Sequence, residues 1–237
     1  MTAQLVLATH NDGKVAELRA ILDGLGIDLL SAADVGLPDV EETGDSFAAN
    51  ALLKARAGVV ACGLACIADD SGLVVDALNG APGIYSARYA EVNQVSPKRA
   101  SSSPQTSDLR IGPGRPADSS DLRIGKGAGR AEVDQANLDL LLQHMSDVGQ
   151  GDRTARFVCA AALVLPDGRH HTVEAAVEGM AVEVPRGSGG FGYDPVFQPR
   201  GHDRTTAQMS PAEKHAISHR GKAFRALRPV LAEHLLR

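Results

Sequence analysis

Two long extended runs, residues 155–165 and 170–177, meet at Pro166-Asp167-Gly168, and this junction constrains the fold more than any other stretch. Proline followed by Asp-Gly between two apolar runs is strong hairpin chemistry, so the runs pair antiparallel. The N-terminal part has a different rhythm. Residues 4–8 form an apolar strand, the polar loop Thr9-His10-Asn11-Asp12-Gly13-Lys14 follows, and a helix then carries Val15, Leu18, Ile21, Leu22 and Leu25. Gly26 closes that helix, residues 27–30 suit a second strand, Asp45-Ser46-Phe47 opens a second helix, and residues 64–68 read as a short buried strand. Alternating strands and helices joined to a hairpin give an α/β fold with a mixed central sheet flanked by helices. At 237 residues and 43% hydrophobic, the chain can bury a sizeable core in one domain or two lobes.

Chemistry is concentrated where that framework is interrupted. Asp69 and Asp70 end the 64–68 run and meet Ser71-Gly72, which places acid at the C-terminal mouth of a strand, where open α/β sheets hold ligands. Successive strand residues point to opposite faces, so at most one carboxylate follows the strand inward. Asp-Asp-Ser-Gly is equally ordinary turn chemistry, and the four residues alone do not decide. In the first loop, Thr9, Asn11 and Lys14 offer a hydroxyl, an amide and an ammonium at a helix entrance, a set able to hold phosphate oxygens beside free helix amides. It is not a Walker A loop, and an Asn-Asp-Gly turn with a solvated lysine is the bland alternative. Asn50 and Lys54 share one helix face. Glu41 and Glu42 form either a solvated loop pair or part of an oxygen-rich site for a hard cation such as Mg²⁺.

Gly187-Ser188-Gly189-Gly190-Phe191-Gly192 formally fits a dinucleotide fingerprint, but Tyr193-Asp194-Pro195 follows, and proline blocks the helix that the fingerprint requires. The segment is instead a glycine loop able to deliver Phe191, Gly192, Tyr193 and Asp194 to a ligand. Ser210-Pro211 looks like a capped helix start, and Ser218-His219-Arg220-Gly221 leads into a last helix. Lys214, His219 and Arg220 form a cationic cluster suited to a base carbonyl or a phosphate.

A net charge of -5 argues against a general nucleic-acid or membrane-surface binder. No run approaches a membrane span, and the N-terminus lacks a basic signal-peptide start, so the cytoplasm is the expected compartment. Cys62, Cys66 and Cys159 are odd in number and sit in apolar surroundings, as buried reduced thiols do. From about 91 to 130 the chain is rich in Ser, Pro, Gly and Arg, repeats Ser-Asp-Leu-Arg-Ile-Gly, and reads as a disordered insertion without a catalytic role. Its flanks, Ala90-Glu91-Val92-Asn93-Gln94 and Ala131-Glu132-Val133-Asp134-Gln135, echo each other.

Taken together, Thr9-x-Asn11-x-x-Lys14, Glu41-Glu42-Thr43-Gly44-x-Ser46-Phe47-x-x-Asn50-Ala51-x-x-Lys54, Asp69-Asp70-Ser71-Gly72-Leu73, Phe191-Gly192-Tyr193-Asp194-Pro195 and Ser218-His219-Arg220-Gly221 closely resemble the Ham1-like non-canonical purine nucleoside triphosphate pyrophosphatases, the inosine triphosphatases. The resemblance covers nearly the whole chain outside 91–130. Gly179-Met180-Ala181 departs from it slightly, since the family tends to carry a bulkier aliphatic there. It implies two lobes around a central cleft, a homodimer, and Mg²⁺-dependent hydrolysis of ITP, dITP or XTP to the monophosphate and pyrophosphate. In that scheme the loop from Thr9 to Lys14 (Thr9, His10, Asn11, Asp12, Gly13, Lys14) and Lys54 grip the triphosphate, with Ser71 close by. Glu41 and Asp70, with Asp69, hold Mg²⁺, and Asp70 is the general base. Phe191, Gly192, Tyr193, Asp194, Lys214, His219 and Arg220 read the base. The rivals are a pyrophosphatase of the Maf type acting on modified pyrimidine nucleotides, a non-catalytic nucleotide-binding protein, and a nucleic-acid binder using the basic insertion.

Overall fold

The computed structural model describes residues 3–94 and 129–236. Six strands form one sheet in the order β2-β1-β3-β4-β5-β6, namely β1 (Ala3–Leu7), β2 (Ile27–Ser31), β3 (Ala65–Val75), β4 (Thr154–Val164), β5 (His170–Ala181) and β6 (Phe197–Pro199). β1 runs parallel to β2 and β3, and the other neighbours are antiparallel. The expected mixed sheet is therefore present, with the β4–β5 hairpin in register from Thr154↔Met180 to Val164↔His170.

Helices cover both faces. On one side α1 (Asp12–Leu22) and α6 (His219–Leu235) bury Leu18, Phe224, Leu227 and Leu231 against Leu5, Leu7, Ile67 and Leu163. On the other, α2 (Phe47–Cys62) lays Phe47, Ala51 and Ala55 on Val6, Cys66 and Ala68. Ala160, Ala161 and Ala162, all fully buried in β4, are small enough to let helices approach closely from both directions. A third cluster lies beyond the end of β1. There the second half of β3 packs with α3 (Tyr89–Gln94), α4 (Arg130–His144) and the segment around Tyr193, Val196 and Phe197, around Leu73, Leu141 and Met145. The cleft opens between this lobe and the first two cores.

Local chemistry fixes the helix ends. Asn11 caps α1 by accepting from the Lys14 amide, Ser46 caps α2 by accepting from Ala49, and Gly63 at φ 70° ends α2 in the left-handed conformation. Ser210 and Glu213 form a reciprocal capping box with Pro211 at the first position of α5 (Pro211–Ile217). Ser218 caps α6.

Three boundaries differ from expectation. β3 does not stop at residue 68 but runs on through both aspartates, Ser71 and Gly72, because β4 pairs with it without a break from Cys66↔Val164 to Val75↔Ala155. What ends at Ile67 is its pairing with β1. β5 extends to Ala181, since β6 pairs with residues 179–181. The expected insertion at 91–130 lies outside the described residues except at its ends, which are helical: 91–94 belong to α3 and Arg130 opens α4.

Candidate active site

Strand alternation sends the two aspartates into different halves of the molecule. Asp69 shares its face with Ile67 and meets α1 and α6, while Asp70 shares the face of Ala68 and meets α2. Both are buried, at 2% and 6% exposure. A buried carboxylate needs partners, and each side supplies a distinct set.

Around Asp69 the partners are cations. One oxygen, Oδ2, accepts from Lys14 Nζ at 3.0 Å and from Arg220 Nε at 3.1 Å, while Oδ1 has no hydrogen-bond partner among the described residues. Arg220 also donates to Glu17 at 2.6 Å and to the Ser71 hydroxyl at 2.9 Å. Burial opposes ionisation of Asp69, but the Lys14 and Arg220 charges more than offset it and hold the carboxyl well below its ordinary range.

Around Asp70 the partners come from α2 and the loop before it. Asn50 donates to Oδ2 at 3.1 Å and accepts the Gly44 N–H at 2.8 Å, so a fully buried amide ties the 41–46 loop to the acid. Lys54 Nζ lies 3.4 Å from Asp70 Oδ1 and 2.5 Å from Glu42 Oε1. Arg88 then holds Glu42 through an ion pair at 3.4 Å and a bond to its carbonyl at 3.2 Å. Burial raises the Asp70 pKa, Lys54 opposes the rise, and the nearby Glu42 charge reinforces it. Two adjacent carboxyls are thereby driven apart: Asp69 is a fixed anion, and Asp70 binds a proton more readily than an ordinary aspartate. Such a split is the signature of acid–base assignment within a site.

The cleft holds about 390 Å³. Of the residues expected from the sequence, Thr9, His10, Asn11, Lys14, Lys54, Asp70, Ser71, Phe191, Gly192, Tyr193, Asp194, Lys214, His219 and Arg220 all line it. Asp12 opens α1, and Gly13 follows it in the first turn. Glu41 is exposed and does not line the cleft, whereas its neighbour Glu42 does and joins Lys54. Asp69 stands behind the wall, engaged by Lys14 and Arg220. Among the described residues no group of three or more His, Cys, Asp or Glu gathers into a metal cage. The pair that fits a hard cation is Asp70 with Glu42, two carboxylates that already share one ammonium. Magnesium is commonly held by one or two carboxylates together with substrate phosphates.

At the other end of the cleft the expected cationic cluster is largely neutralised. Lys214 Nζ rests on Asp194 Oδ2 at 2.5 Å, and Arg220 is spent on Asp69 and Glu17. His219 stacks on Phe157 with ring centroids 5.0 Å apart, and burial together with the Arg220 charge pushes its pKa well below 6.5, so it is neutral. Asp194 is a brace, since it also accepts from the Phe191 N–H at 2.8 Å and the Thr206 hydroxyl at 2.7 Å. Tyr193 is buried, and its hydroxyl donates to the Ser86 carbonyl at 2.9 Å. Phe191 remains 45% exposed, with Lys214 Nζ 4.9 Å from its ring centre. One cleft is thus lined by carboxylates and ammonium groups at one end and by an exposed aromatic ring at the other.

The sequence leaves Glu42 open beside Glu41 as a cation ligand, and it does not single out Asn50, Glu17, Ser86, Arg88, Asp134 or Phe157 as site residues. The Asn50/Lys54 spacing was the available signal for Asn50, while the others become visible only in three dimensions.

The model of the Ham1 family matches residues 5–104 and 122–230. The dITP/XTP pyrophosphatase of Streptomyces coelicolor is 49% identical over 235 residues, which cover 98% of each chain. The one from Rhodopseudomonas palustris is 43% identical, covering 94% of this chain and 93% of that one. Among solved structures, a HAM1 protein from Coxiella burnetii superposes with a TM-score of 0.76 at 35% identity, covering 98% of this chain and all of that one.

Proposed function

We propose, for a chain that belongs to the Ham1 family, the hydrolysis of dITP, XTP and ITP to the nucleoside monophosphate and pyrophosphate. The observation that carries the reading is the opposed environment of Asp69 and Asp70 in a cleft with phosphate-type donors at one end and an exposed aromatic ring at the other.

Water attacks the α-phosphorus. A new P–O bond forms, the bridge to the β-phosphate breaks, and pyrophosphate leaves with the electron pair. Asp70, which lines the cleft beside Lys54, takes the proton of the attacking water. Lys14, Lys54 and the Thr9 hydroxyl face the triphosphate from the wall of the cleft and offset its charge. Asp69 keeps Lys14 and Arg220 in place. Mg²⁺ bound by Asp70 and Glu42 would supply charge neutralisation and a more acidic water. At the far end Phe191 offers a face for stacking a purine. Donors near a 6-oxo group favour hypoxanthine and xanthine and leave the amino group of adenine without an acceptor. The protein works in this reading as a cytoplasmic homodimer whose task is to clear deaminated purines from the nucleotide pool.

Pyrophosphate release over a panel of triphosphates, with and without Mg²⁺, tests the reading. Fast release from dITP and XTP that stops on chelation is expected; turnover of UTP with none of dITP or XTP overturns it. Asp70→Asn should keep nucleotide affinity and lose about 10²- to 10⁴-fold in kcat, the usual span for removing a general base. Full activity in that variant would assign the base elsewhere.

A further inference from the structure

Phe191 is held from both sides by carboxylates belonging to different parts of the fold. Its own N–H is bound by Asp194, three residues along the same loop. The next N–H, that of Gly192, donates to Asp134 Oδ2 at 3.1 Å, and Asp134 sits on α4 in the other direction of the chain. Gly192 has φ 59°, a conformation that favours glycine, and its N–H is directed away from its own loop onto α4. The rest of the loop is fastened close to home, with Gly189 donating to Ala207 and the Asp194 carbonyl accepting from Ala207 and Thr206.

Helix stability does not explain an aspartate at this position. Asp134 is the fifth residue of α4, past the first turn where the helix dipole rewards an acid, and aspartate is a poor former of helix interiors. Its ion pair with Arg130 is an exposed i,i+4 contact in the less favourable order, basic residue first, with the Arg130 side chain 61% exposed. The Asp134 side chain, by contrast, is only 16% exposed and lines the cleft. α4 is itself firmly seated, because the buried Asn137 one turn on accepts from the Ala90 N–H at 2.8 Å and donates to the Ala87 carbonyl at 3.1 Å.

We propose that Asp134 is a positioning residue for base recognition: from α4 it fixes the Gly192 peptide and thereby the plane in which Phe191 meets the purine. The inference rests on the pyrophosphatase reading and deepens it. Asp134 acts on binding of the base, not on the chemistry at phosphorus.

Steady-state kinetics with dITP and XTP on the full chain test it. Asp134→Ala should raise KM about tenfold, the scale of one hydrogen bond to a charged group, with kcat within about twofold of the parent. Asp134→Asn, whose amide oxygen still accepts, should recover most of the loss. In a Phe191→Ala background the Asp134→Ala change should add no more than about twofold, because the ring it positions is gone. If Asp134→Ala does not fold, the Asn variant carries the same comparison, with a smaller rise in KM that vanishes in the Phe191→Ala background. An equal KM rise with and without the Phe191 ring, a fall in kcat at unchanged KM, or an unaltered KM overturns the proposal. A parent protein that releases no pyrophosphate from dITP or XTP overturns the functional reading itself, and is distinguished by being seen before any variant is made.

Discussion

Burial disfavours the charged form of both Asp69 and Asp70, and their neighbours send the two in opposite directions, Asp69 down and Asp70 up. Asp69 is compensated by the buried Arg220 and the partly buried Lys14, so replacing it with asparagine leaves these two cations facing each other across an uncharged amide. Breaking a buried pair in this way costs about 3–5 kcal/mol, which denaturant unfolding of Asp69→Asn would register; a loss below about 1 kcal/mol would show that the network relaxes freely. The same carboxyl gives the protein an acid limb. Because its pKa is lower in the folded chain than its ordinary 3.8, it contributes stability above that value, and the contribution is lost as pH falls below it. Asp69→Asn should therefore unfold at a lower denaturant concentration at pH 7 and show a shallower decline between pH 4 and 2, read from melts across about that range. Sequence alone made both acids candidates for the metal. Their separation was legible in principle from strand alternation, but the identity of the partners was not, since Lys14, Lys54 and Arg220 are 40 to 206 residues apart in the chain.

Elements explain what the sequence could show and what it hid. The hairpin, the first strand-loop-helix unit and the caps at Ser46, Ser210 and Ser218 were legible because each depends on residues within a few positions of one another. β3 was cut short because Ser71-Gly72 carries local turn chemistry, and only the unbroken register with β4 overrides it. Glu41 and Glu42 stay undivided in the sequence for a related reason: neither acid lies in a periodic element, so nothing in the sequence says which one turns inward. Gly72 has a role that its turn propensity concealed. A Cβ there would collide with the Gly83 carbonyl and the Ser86 hydroxyl, the 3₁₀ turn that roofs β3. Gly72→Ala should cost about 1–3 kcal/mol through overpacking and lower kcat/KM, as thermal melts and kinetics on the purified variant would show. A melt indistinguishable from the parent would mean that the roof yields.

At the scale of the molecule, the cleft is a seam between cores that are each internally well packed, and single residues stitch it. Ser86 is the clearest of these. Its hydroxyl accepts from the Leu73 N–H of β3 and donates to the Gly83 carbonyl, while its own carbonyl accepts the Tyr193 hydroxyl from the loop that carries Phe191. Ser86→Ala leaves the Leu73 amide buried without a partner, a loss of about 1–3 kcal/mol that calorimetry should detect. Such a residue ties the acid end of the cleft to the end that meets the base. Selection for a new base preference therefore cannot redraw the Phe191 loop in isolation: any change that retunes Tyr193 is also felt along the strand that bears Asp70. The protein is easier to evolve by substitutions at the rim of the cleft, such as the exposed Phe191, than through the buried residues beneath it.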